Sequence, residues 1–245
     1  MPTVHIYWLC LPKTVRQIEV ERYLSILSAD EVQRYCQYQH PNKRLEFLTG
    51  RVLAKTVLAR ALNQNPSAIQ FQAHSKGKLY LFESISPNLF FNISHSRSVI
   101  ACAISNEEEI GVDVACHSSK NLRVMTRTFV QTEMDWVISQ PTAFQRQQAF
   151  CEIWTRKEAV MKMLGVGFAL APKSFSVPFG HQTNSDDQFD YYTFFPKSGY
   201  VLSAVAPRSQ HRDFCTHPIR FSELFGFEPT VKDDLVNSND GQLLL

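Results

Sequence analysis

The chain has 245 residues, 44% hydrophobic and 20% charged, so it is long enough for one large or two small globular domains and unlike a disordered or fibrous protein. A formal net charge of +2 is too small to indicate general nucleic-acid binding. The six cysteines are scattered, without a C-x-x-C pair or zinc spacing, and no apolar run suggests a signal peptide or a membrane span. We therefore expect a cytoplasmic protein with reduced thiols and neither nucleic acid nor membrane as a partner.

The first half of the chain predicts a strand, two helices and then a sheet. Residues 4–10 are apolar and aromatic, which favours a buried strand. Ser28 and Glu31 have the spacing of a capping box, and the helix that they begin should end before Pro41. Apolar residues at helical spacing over 43–62 predict a long amphipathic helix with a basic face. Further strands are predicted at 69–71, 79–81, 90–94 and 98–104.

The second half repeats this order of elements. A strand is predicted at 110–114, a long helix at 150–164, and further strands at 175–177, 191–195 and 200–206. When the sequences of the two predicted long helices are aligned, Phe47 corresponds to Trp154, Arg51 to Glu158 and Lys55 to Lys162. This correspondence indicates an ancient duplication.

The duplication predicts an α+β fold made of two similar halves that face each other across a pseudo-twofold axis. The halves are residues 1–106 and 107–230, and the polar tail 231–245 is expected to be poorly ordered. The cleft between them would have an anion-binding side that carries Arg51 and a metal side that carries Glu158.

A line of three side chains on the second long helix is the first chemical signal. Trp154, Glu158 and Lys162 follow one another at steps of four, along one edge of the apolar stripe. Such an edge faces a cleft more often than bulk water. Taken alone, the Glu158 and Lys162 pair also has the spacing of an ordinary surface ion pair worth roughly 0.2–0.5 kcal/mol.

Asp113 is the second signal, because it interrupts the apolar run of a predicted buried strand. A buried aspartate requires a cation, several donors or a raised pKa, and many such residues are purely structural. Together, however, one aspartate on a strand and Glu158 on a helix can bind a hard divalent ion and leave coordination positions for phosphate oxygens.

These two pieces resemble the signature of a known family. Gly111-Val112-Asp113, then 40 intervening residues, then the run 154–159 and Lys162 are similar to the motifs of the Sfp-type 4'-phosphopantetheinyl transferases. The resemblance implies transfer of the 4'-phosphopantetheine arm of coenzyme A to a serine of an acyl, peptidyl or aryl carrier protein, with Mg²⁺ and release of 3',5'-ADP. It also implies a monomeric pseudodimer with the active site between its α+β halves.

The resemblance assigns roles to the residues of the two motifs. Asp113 and Glu158 become the metal ligands, and Glu158 also becomes the candidate base for the serine proton. Lys162 becomes the second catalytic residue, because it would balance charge on the phosphates. Asp113 and Lys162 also count among the residues expected to bind coenzyme A.

Further coenzyme A ligands are implied on the first half. Ser94 and His95 lie in the family's Ser-His pattern and would hold phosphate oxygens. Lys78, after Gly77, occupies the position of a Gly-Lys that contacts the nucleotide end. Arg51 and Arg44 resemble a basic helix face that meets the phosphates. From the residues alone, a solvent-facing turn, a basic turn and a solvated helix face remain alternatives.

One position departs from the family pattern. Many members carry a third acid two residues after the aspartate, whereas this chain has Ala115, which cannot bind a metal. Because Mg²⁺ readily keeps several waters, we expect water in that position and weaker metal affinity than in three-acid relatives.

Two other functions remain open from the sequence. A metal-dependent phosphodiesterase could use the same two acids with a water nucleophile, and it would need no carrier protein. A carrier-binding module without chemistry would keep its affinity after replacement of Asp113 and Glu158 by alanine.

Overall fold

The computed structural model describes residues 1–15, 17–82, 88–118 and 121–229. Its strands are β1 (Thr3–Cys10), β2 (Phe71–Ala73), β3 (Leu79–Leu81), β4 (Phe90–Ser96), β5 (Val99–Ser105), β6 (Gly111–Cys116), β7 (Thr183–Ser185), β8 (Phe189–Phe194), β9 (Tyr200–Pro207) and β10 (Asp213–Pro218). Its α-helices are α1 (Gln17–Glu21), α2 (Ala29–Gln37), α3 (Pro41–Leu62), α4 (Met125–Thr128), α5 (Gln131–Ser139), α6 (Ala143–Met163) and α7 (Phe221–Phe225). The predicted tail, 231–245, lies outside the described residues.

Two four-stranded sheets form the centre of the molecule. The first has the order β10-β1-β5-β4 and the second the order β6-β9-β8-β7, while β2 and β3 form a separate hairpin. The two sheets share a pairing pattern. In the first, β5 lies between β1 and β4, and in the second, β9 lies between β6 and β8. This shared topology confirms the predicted α+β pseudodimer of two similar halves.

The two sheets pack on each other and each carries one long helix on its other face. Val4, Ala101 and Ala103 of the first sheet meet Val112 and Leu202 of the second in a shared apolar core. Helix α3 packs on the outer face of the first sheet, and α6 packs on the outer face of the second. The order of layers is therefore helix, sheet, sheet, helix.

Most predicted elements are confirmed within a few residues, and one predicted strand is wrong. Residues 175–177 form no strand. The main-chain carbonyl of Phe175 accepts a hydrogen bond from Lys157, and the Val177 N–H donates to the Glu133 carboxylate at 3.0 Å. These charged side chains satisfy backbone groups that a neighbouring strand would otherwise pair with, and of the three residues only Val177 is buried.

The end of the chain returns to the first sheet. Strand β10 runs parallel to β1, and Phe221 and Phe225 of α7 are buried in the core beneath α3. The division at 106/107 stays a prediction, but residues 213–225 belong by pairing and packing to the first sheet. Within the described residues no helix is long and apolar enough to cross a membrane.

Gly111 sets the close approach between β6 and α6. A Cβ atom at this position would lie 1.9 Å from the Ala159 carbonyl oxygen. Any side chain would therefore push the helix away from the strand. The absence of a side chain lets α6 lie directly on β6, which brings the residues after Ala159 next to those after Gly111.

Candidate active site

Strand alternation turns Asp113 towards helix α6. Val112 and Val114 point into the core between the sheets, so Asp113 projects from the opposite face, where α6 lies. Asp113 is only 7% exposed. Its carboxylate needs partners at this depth, and the neighbouring elements supply them.

Lys162 and Ser94 are those partners. Lys162 Nζ lies 2.6 Å from Asp113 Oδ1, and the Ser94 hydroxyl donates to the same oxygen at 2.9 Å. Ser94 Oγ also accepts hydrogen bonds from Lys162 Nζ at 2.9 Å and from the Val114 N–H at 3.2 Å. Because a hydroxyl has one proton and two lone pairs, Ser94 uses its full hydrogen-bonding capacity in this network.

The network lies at the junction of the two sheets. The outer edge of β6 receives side chains from β4 in place of a strand partner, since Asn92 Oδ1 accepts from the Val112 N–H at 3.0 Å in the same way as Ser94 accepts from Val114. Lys162 also donates to the Val112 carbonyl at 3.3 Å. An edge strand thus has its backbone satisfied by polar side chains, and the site forms there.

Glu158 lies one helical turn before Lys162 and is half buried. Burial, and then the negative charge of Asp113, raises the pKa of Glu158 to about 7, although the charge of Lys162 opposes the shift. Glu158 accepts no hydrogen bond from the described residues. Two carboxylates therefore share one cation on this side of the cleft.

The donor set suits a hard divalent ion. Both contacts to Asp113 use Oδ1, so Oδ2 receives no hydrogen bond from the part of the chain that the structure describes. Glu158 is close enough for Asp113 to raise its pKa, and a cation between the two would relieve that repulsion. Ala115, at 9% exposure, packs in the apolar core and adds no ligand. No group of three or more His, Cys, Asp or Glu side chains forms a metal site among the described residues.

A cleft of about 310 Å³ separates the two halves beside this pair. Its charged lining is predominantly basic and includes Arg34, Arg51, Lys76, Lys78, His95 and Lys162, with Glu46 as its carboxylate. Lys162 thus contacts Asp113 and also lines the cleft. The structure therefore brings together Arg51, Lys78, His95 and Lys162 from the predicted set of coenzyme A ligands.

The predicted ligands on the first half already have protein partners. Arg51 Nε lies 3.0 Å from Glu31 Oε1, and its guanidinium lies over the Phe47 ring. Lys78 Nζ contacts the Glu109 carboxylate and donates to the Met163 carbonyl at 2.5 Å. Lys78 therefore connects the β2–β3 hairpin to the end of α6 across the cleft.

Arg44 is a predicted ligand that does not line this cleft. Its Nε donates to the Tyr38 carbonyl at 2.7 Å, and it lines a different cavity, between the start of α3 and the end of β1.

Ser94 is 4% exposed, and its hydroxyl already makes hydrogen bonds with Asp113, Lys162 and Val114. Direct phosphate contacts of Arg44 and Ser94 stay predictions.

Glu46, Glu31 and Asn92 were not among the residues predicted from sequence for the site. Glu46 Oε2 contacts His95 Nδ1 at 3.0 Å, and Glu31 pairs with two basic residues of α3 besides capping α2. The sequence signal for Glu46 was its spacing of three from Lys43, which by itself indicates only a local helix pair. Asn92 lies in the Ser-His motif, but nothing in sequence reveals that it faces β6.

Comparison with known proteins matches both halves of the chain. Residues 109–205 match the family described as the 4'-phosphopantetheinyl transferase superfamily. Residues 14–107 match the family described as 4'-phosphopantetheinyl transferase, N-terminal. The match over 109–205 contains Asp113, Glu158 and Lys162, and the match over 14–107 contains Arg51, Lys78 and His95.

Individual relatives agree. A putative 4'-phosphopantetheinyl transferase of Synechocystis is 31% identical over 194 residues, which covers 78% of this chain and 74% of that protein. The 4'-phosphopantetheinyl transferase HetI of Nostoc is 30% identical over 68% of this chain and 70% of its own length. Sfp of Bacillus subtilis is 29% identical over 70% and 75%, respectively. The chain belongs to the 4'-phosphopantetheinyl transferase family and is of the Sfp type.

Proposed function

We propose that this enzyme transfers the 4'-phosphopantetheine arm of coenzyme A to a serine hydroxyl of an apo acyl, peptidyl or aryl carrier protein and releases 3',5'-ADP. The observation that carries the proposal is the convergence of Asp113, Glu158 and Lys162 beside a cleft that also holds Arg51 and His95. Two acids beside several cations match a phosphate-bearing substrate bound with a divalent metal. Family membership of both halves supports the same reaction.

In this proposal the carboxylates of Asp113 and Glu158 would hold Mg²⁺, and water would take the place of the acid that Ala115 does not supply. When bound, Mg²⁺ would neutralise negative charge on the coenzyme A pyrophosphate. Asp113 Oδ2 and the Glu158 carboxylate support this assignment, because neither accepts a hydrogen bond from the described residues.

The reaction is a phosphoryl transfer. The serine oxygen forms a bond to the phosphorus nearest the pantetheine, and the bond from that phosphorus to the oxygen of 3',5'-ADP breaks. Glu158 accepts the serine proton on its carboxylate, directly or through a water. Lys162 balances the charge that develops on the phosphates as the nucleotide leaves.

The first half binds the coenzyme. Arg51 and His95 hold the phosphates, and Lys78 contacts the nucleotide end at the hairpin side of the cleft. Ser94 contributes by fixing the relative positions of Asp113 Oδ1 and Lys162 Nζ, since its hydroxyl is hydrogen-bonded to both. Because phosphoryl transfer depends mainly on positioning and charge neutralisation, these fixed contacts support the reaction.

The proposal includes a monomeric, cytoplasmic enzyme whose partner is a small acidic helical protein, with neither nucleic acid nor membrane as a ligand. The near-neutral net charge and the scattered cysteines, without a C-x-x-C pair, support this picture.

Intact-mass spectrometry of an apo carrier protein incubated with the enzyme, coenzyme A and Mg²⁺ tests the proposal. We expect the carrier to gain one phosphopantetheine arm, and the Asp113→Ala, Glu158→Ala double variant to give no gain. Failure with several apo carriers despite coenzyme A binding would contradict the proposal. Coenzyme A cleavage without a carrier would instead indicate a phosphodiesterase, and carrier binding that survives the double substitution would indicate a binding module.

A further inference from the structure

Glu46 is a buried carboxylate in a cleft that is otherwise lined by cations. Its side chain is 6% exposed, and it lies on α3 five residues before Arg51. A negative charge at this place would repel the phosphates of coenzyme A unless it were already paired. Glu46 therefore needs a function that outweighs this repulsion.

Two cationic or potentially cationic side chains meet at one oxygen of Glu46. Lys43 Nζ lies 2.6 Å from Glu46 Oε2, and His95 Nδ1 lies 3.0 Å from the same oxygen. Lys43 is 53% exposed, whereas the His95 side chain reaches the carboxylate from the end of β4 while remaining 44% exposed to the cleft. The contact with His95 links α3 to the strand that also carries Ser94.

This geometry determines the tautomer of His95. The Glu46 carboxylate accepts a hydrogen bond from the Nδ1–H, so a neutral His95 ring carries its proton on Nδ1 and its lone pair on Nε2. In that form Nε2 accepts hydrogen bonds and is unsuited to a phosphate oxygen. The ring becomes a donor at Nε2 only when it takes up a second proton.

The charged groups around His95 act in opposite directions. Burial lowers the pKa of His95 below its usual value, Glu46 on α3 raises it, and Lys43 on α3 and Lys162 on α6 lower it. The free ring is therefore mainly neutral at pH 7. A phosphate group arriving at Nε2 would place a negative charge on each side of the ring and favour the imidazolium.

We propose that Glu46 is a positioning residue for coenzyme A: it holds His95 by Nδ1 and stabilises the imidazolium that forms when Nε2 donates to a phosphate oxygen. The proposal rests on the proposed function, because only a phosphate-bearing substrate in the cleft requires Nε2 as a donor. Glu46 touches neither substrate nor metal and acts through His95.

Nuclear magnetic resonance of His95 in the free protein provides the first test. We expect the neutral wild-type ring to carry its proton on Nδ1. Glu46→Gln, which keeps the shape but removes the charge, should lower the pKa of His95, and the matched Lys43→Gln variant should raise it. A proton on Nε2 in the neutral wild-type ring, or shifts of the same sign in both variants, would overturn the proposal.

Calorimetry of coenzyme A binding in buffers of different ionisation enthalpy provides the second test. The wild-type protein should take up more protons on binding than His95→Gln, and Glu46→Gln should lose most of this difference and bind about tenfold more weakly. Glu46→Gln should raise the KM for coenzyme A by a larger factor than it lowers kcat, because the lost interaction acts on coenzyme A binding. Equal proton uptake in wild type and Glu46→Gln would refute the assignment.

The two tests separate this inference from the proposed function. Absence of phosphopantetheine transfer by the wild-type enzyme would contradict the function, while the tautomer and the pKa shifts of the free protein would still decide the role of Glu46. If Glu46→Gln did not fold, the wild-type tautomer and the Lys43→Gln shift would decide it.

Discussion

The two long helices carry corresponding residues that have opposite electrostatic outcomes. On α3, Arg51 and Lys55 share the single carboxylate of Glu31, with Lys55 Nζ 2.8 Å from Glu31 Oε2. On α6, the corresponding positions are Glu158 and Lys162. There, two carboxylates share one cation, because Asp113 and Glu158 both lie beside Lys162.

The depth of the two lysines differs as well. Lys55 is 1% exposed and also donates to the Ile69 carbonyl at 2.8 Å, so its charge is fully enclosed. Lys162 is 30% exposed and lines the cleft. Lys55 is therefore enclosed in an ion pair that stabilises the fold, whereas Lys162 and the two carboxylates beside it leave surplus negative charge next to the cleft.

A second contrast lies at the sheet edges. Asn92 and Ser94 of β4 satisfy β6 with polar side chains, whereas the pseudo-equivalent strand β8 presents Tyr192 and Phe194, which contact Phe214 and Trp8. The second junction is apolar, and β10 covers the edge of β1. The fold therefore contains one polar junction that opens to a cleft.

We expect the largest loss of activity when the negative charge of Asp113 is removed. Asp113→Asn should lower the rate of carrier modification by about a thousandfold or more, because the metal and Lys162 both lose a ligand. Initial rates from intact-mass spectrometry would measure this loss. Asp190→Asn is the matched control, since Asp190 is a buried aspartate bound by Arg208 and Arg212 outside the cleft. Equal loss in both variants would show that the defect is general misfolding.

Exchanging each lysine for methionine tests the difference between the halves directly. Lys55→Met should destabilise the protein by about 3 kcal/mol, because Glu31 loses a buried partner. Lys162→Met should destabilise the protein less than this, since its side chain is 30% exposed and Ser94 still donates to Asp113 Oδ1, but it should lower the transfer rate by about a hundredfold. Chemical denaturation and initial rates would check both. A large loss of stability in Lys162→Met with normal turnover would show that Lys162 stabilises the fold and does not act in the transfer.

The raised pKa of Glu158 predicts a dependence of stability on pH in the presence of EDTA. The folded pKa of about 7 lies above the ordinary 4.5, so the folded state keeps a proton that the unfolded state has lost. Stability should therefore fall as pH rises from 4.5 to 7, and Glu158→Gln should remove this fall. Thermal melts of the two proteins at pH 5 and pH 8 measure the effect. A Glu158→Gln variant that melts below the wild type at pH 8 would contradict it.

A third acid at position 115 should strengthen Mg²⁺ binding, and this is the smallest of the effects that we predict. Ala115→Glu should lower the Mg²⁺ concentration that gives half-maximal transfer by severalfold, because another carboxylate oxygen replaces water. It should also lower the melting temperature in EDTA, since the new carboxylate enters an apolar core. Unchanged Mg²⁺ dependence in a folded variant would show that position 115 does not reach the metal.

Local signals in the sequence were sufficient for most elements. The capping box at Ser28 and Glu31 forms as the spacing predicts, and the two long helices and paired strands follow from apolar periodicity. The roles of Asp113 and Glu158 came from the resemblance of their motifs to a known family, because a carboxylate in an apolar strand and a Glu-Lys helix pair are each also ordinary structural features. The secondary-structure elements, unlike this pair, depend on residues close together in the chain.

Long-range contacts were not visible in the same way. The Arg156 and Lys157 side chains, inside the signature motif, are fully buried and bound to carbonyls such as those of Pro178 and Pro172. Nothing in the motif separates these structural cations from Lys162. The wrong strand at 175–177 has the same origin, because only folding brings Glu133 and Lys157 to that segment.

The sequence predicted the duplicated α+β plan through periodicity and capping, which are local properties of the chain, and the family through the resemblance of its motifs, whereas the metal role of the two acids stays a prediction. Which charged side chains are paired inside the fold, and which face the cleft, depends on the tertiary structure. Pairing of Glu31 with Arg51 and Lys55, of Glu46 with His95, and of Ser94 with Asp113 depends on packing between elements distant in sequence. The burial and geometry that result determine whether an ionic group stabilises the fold or remains available to a ligand.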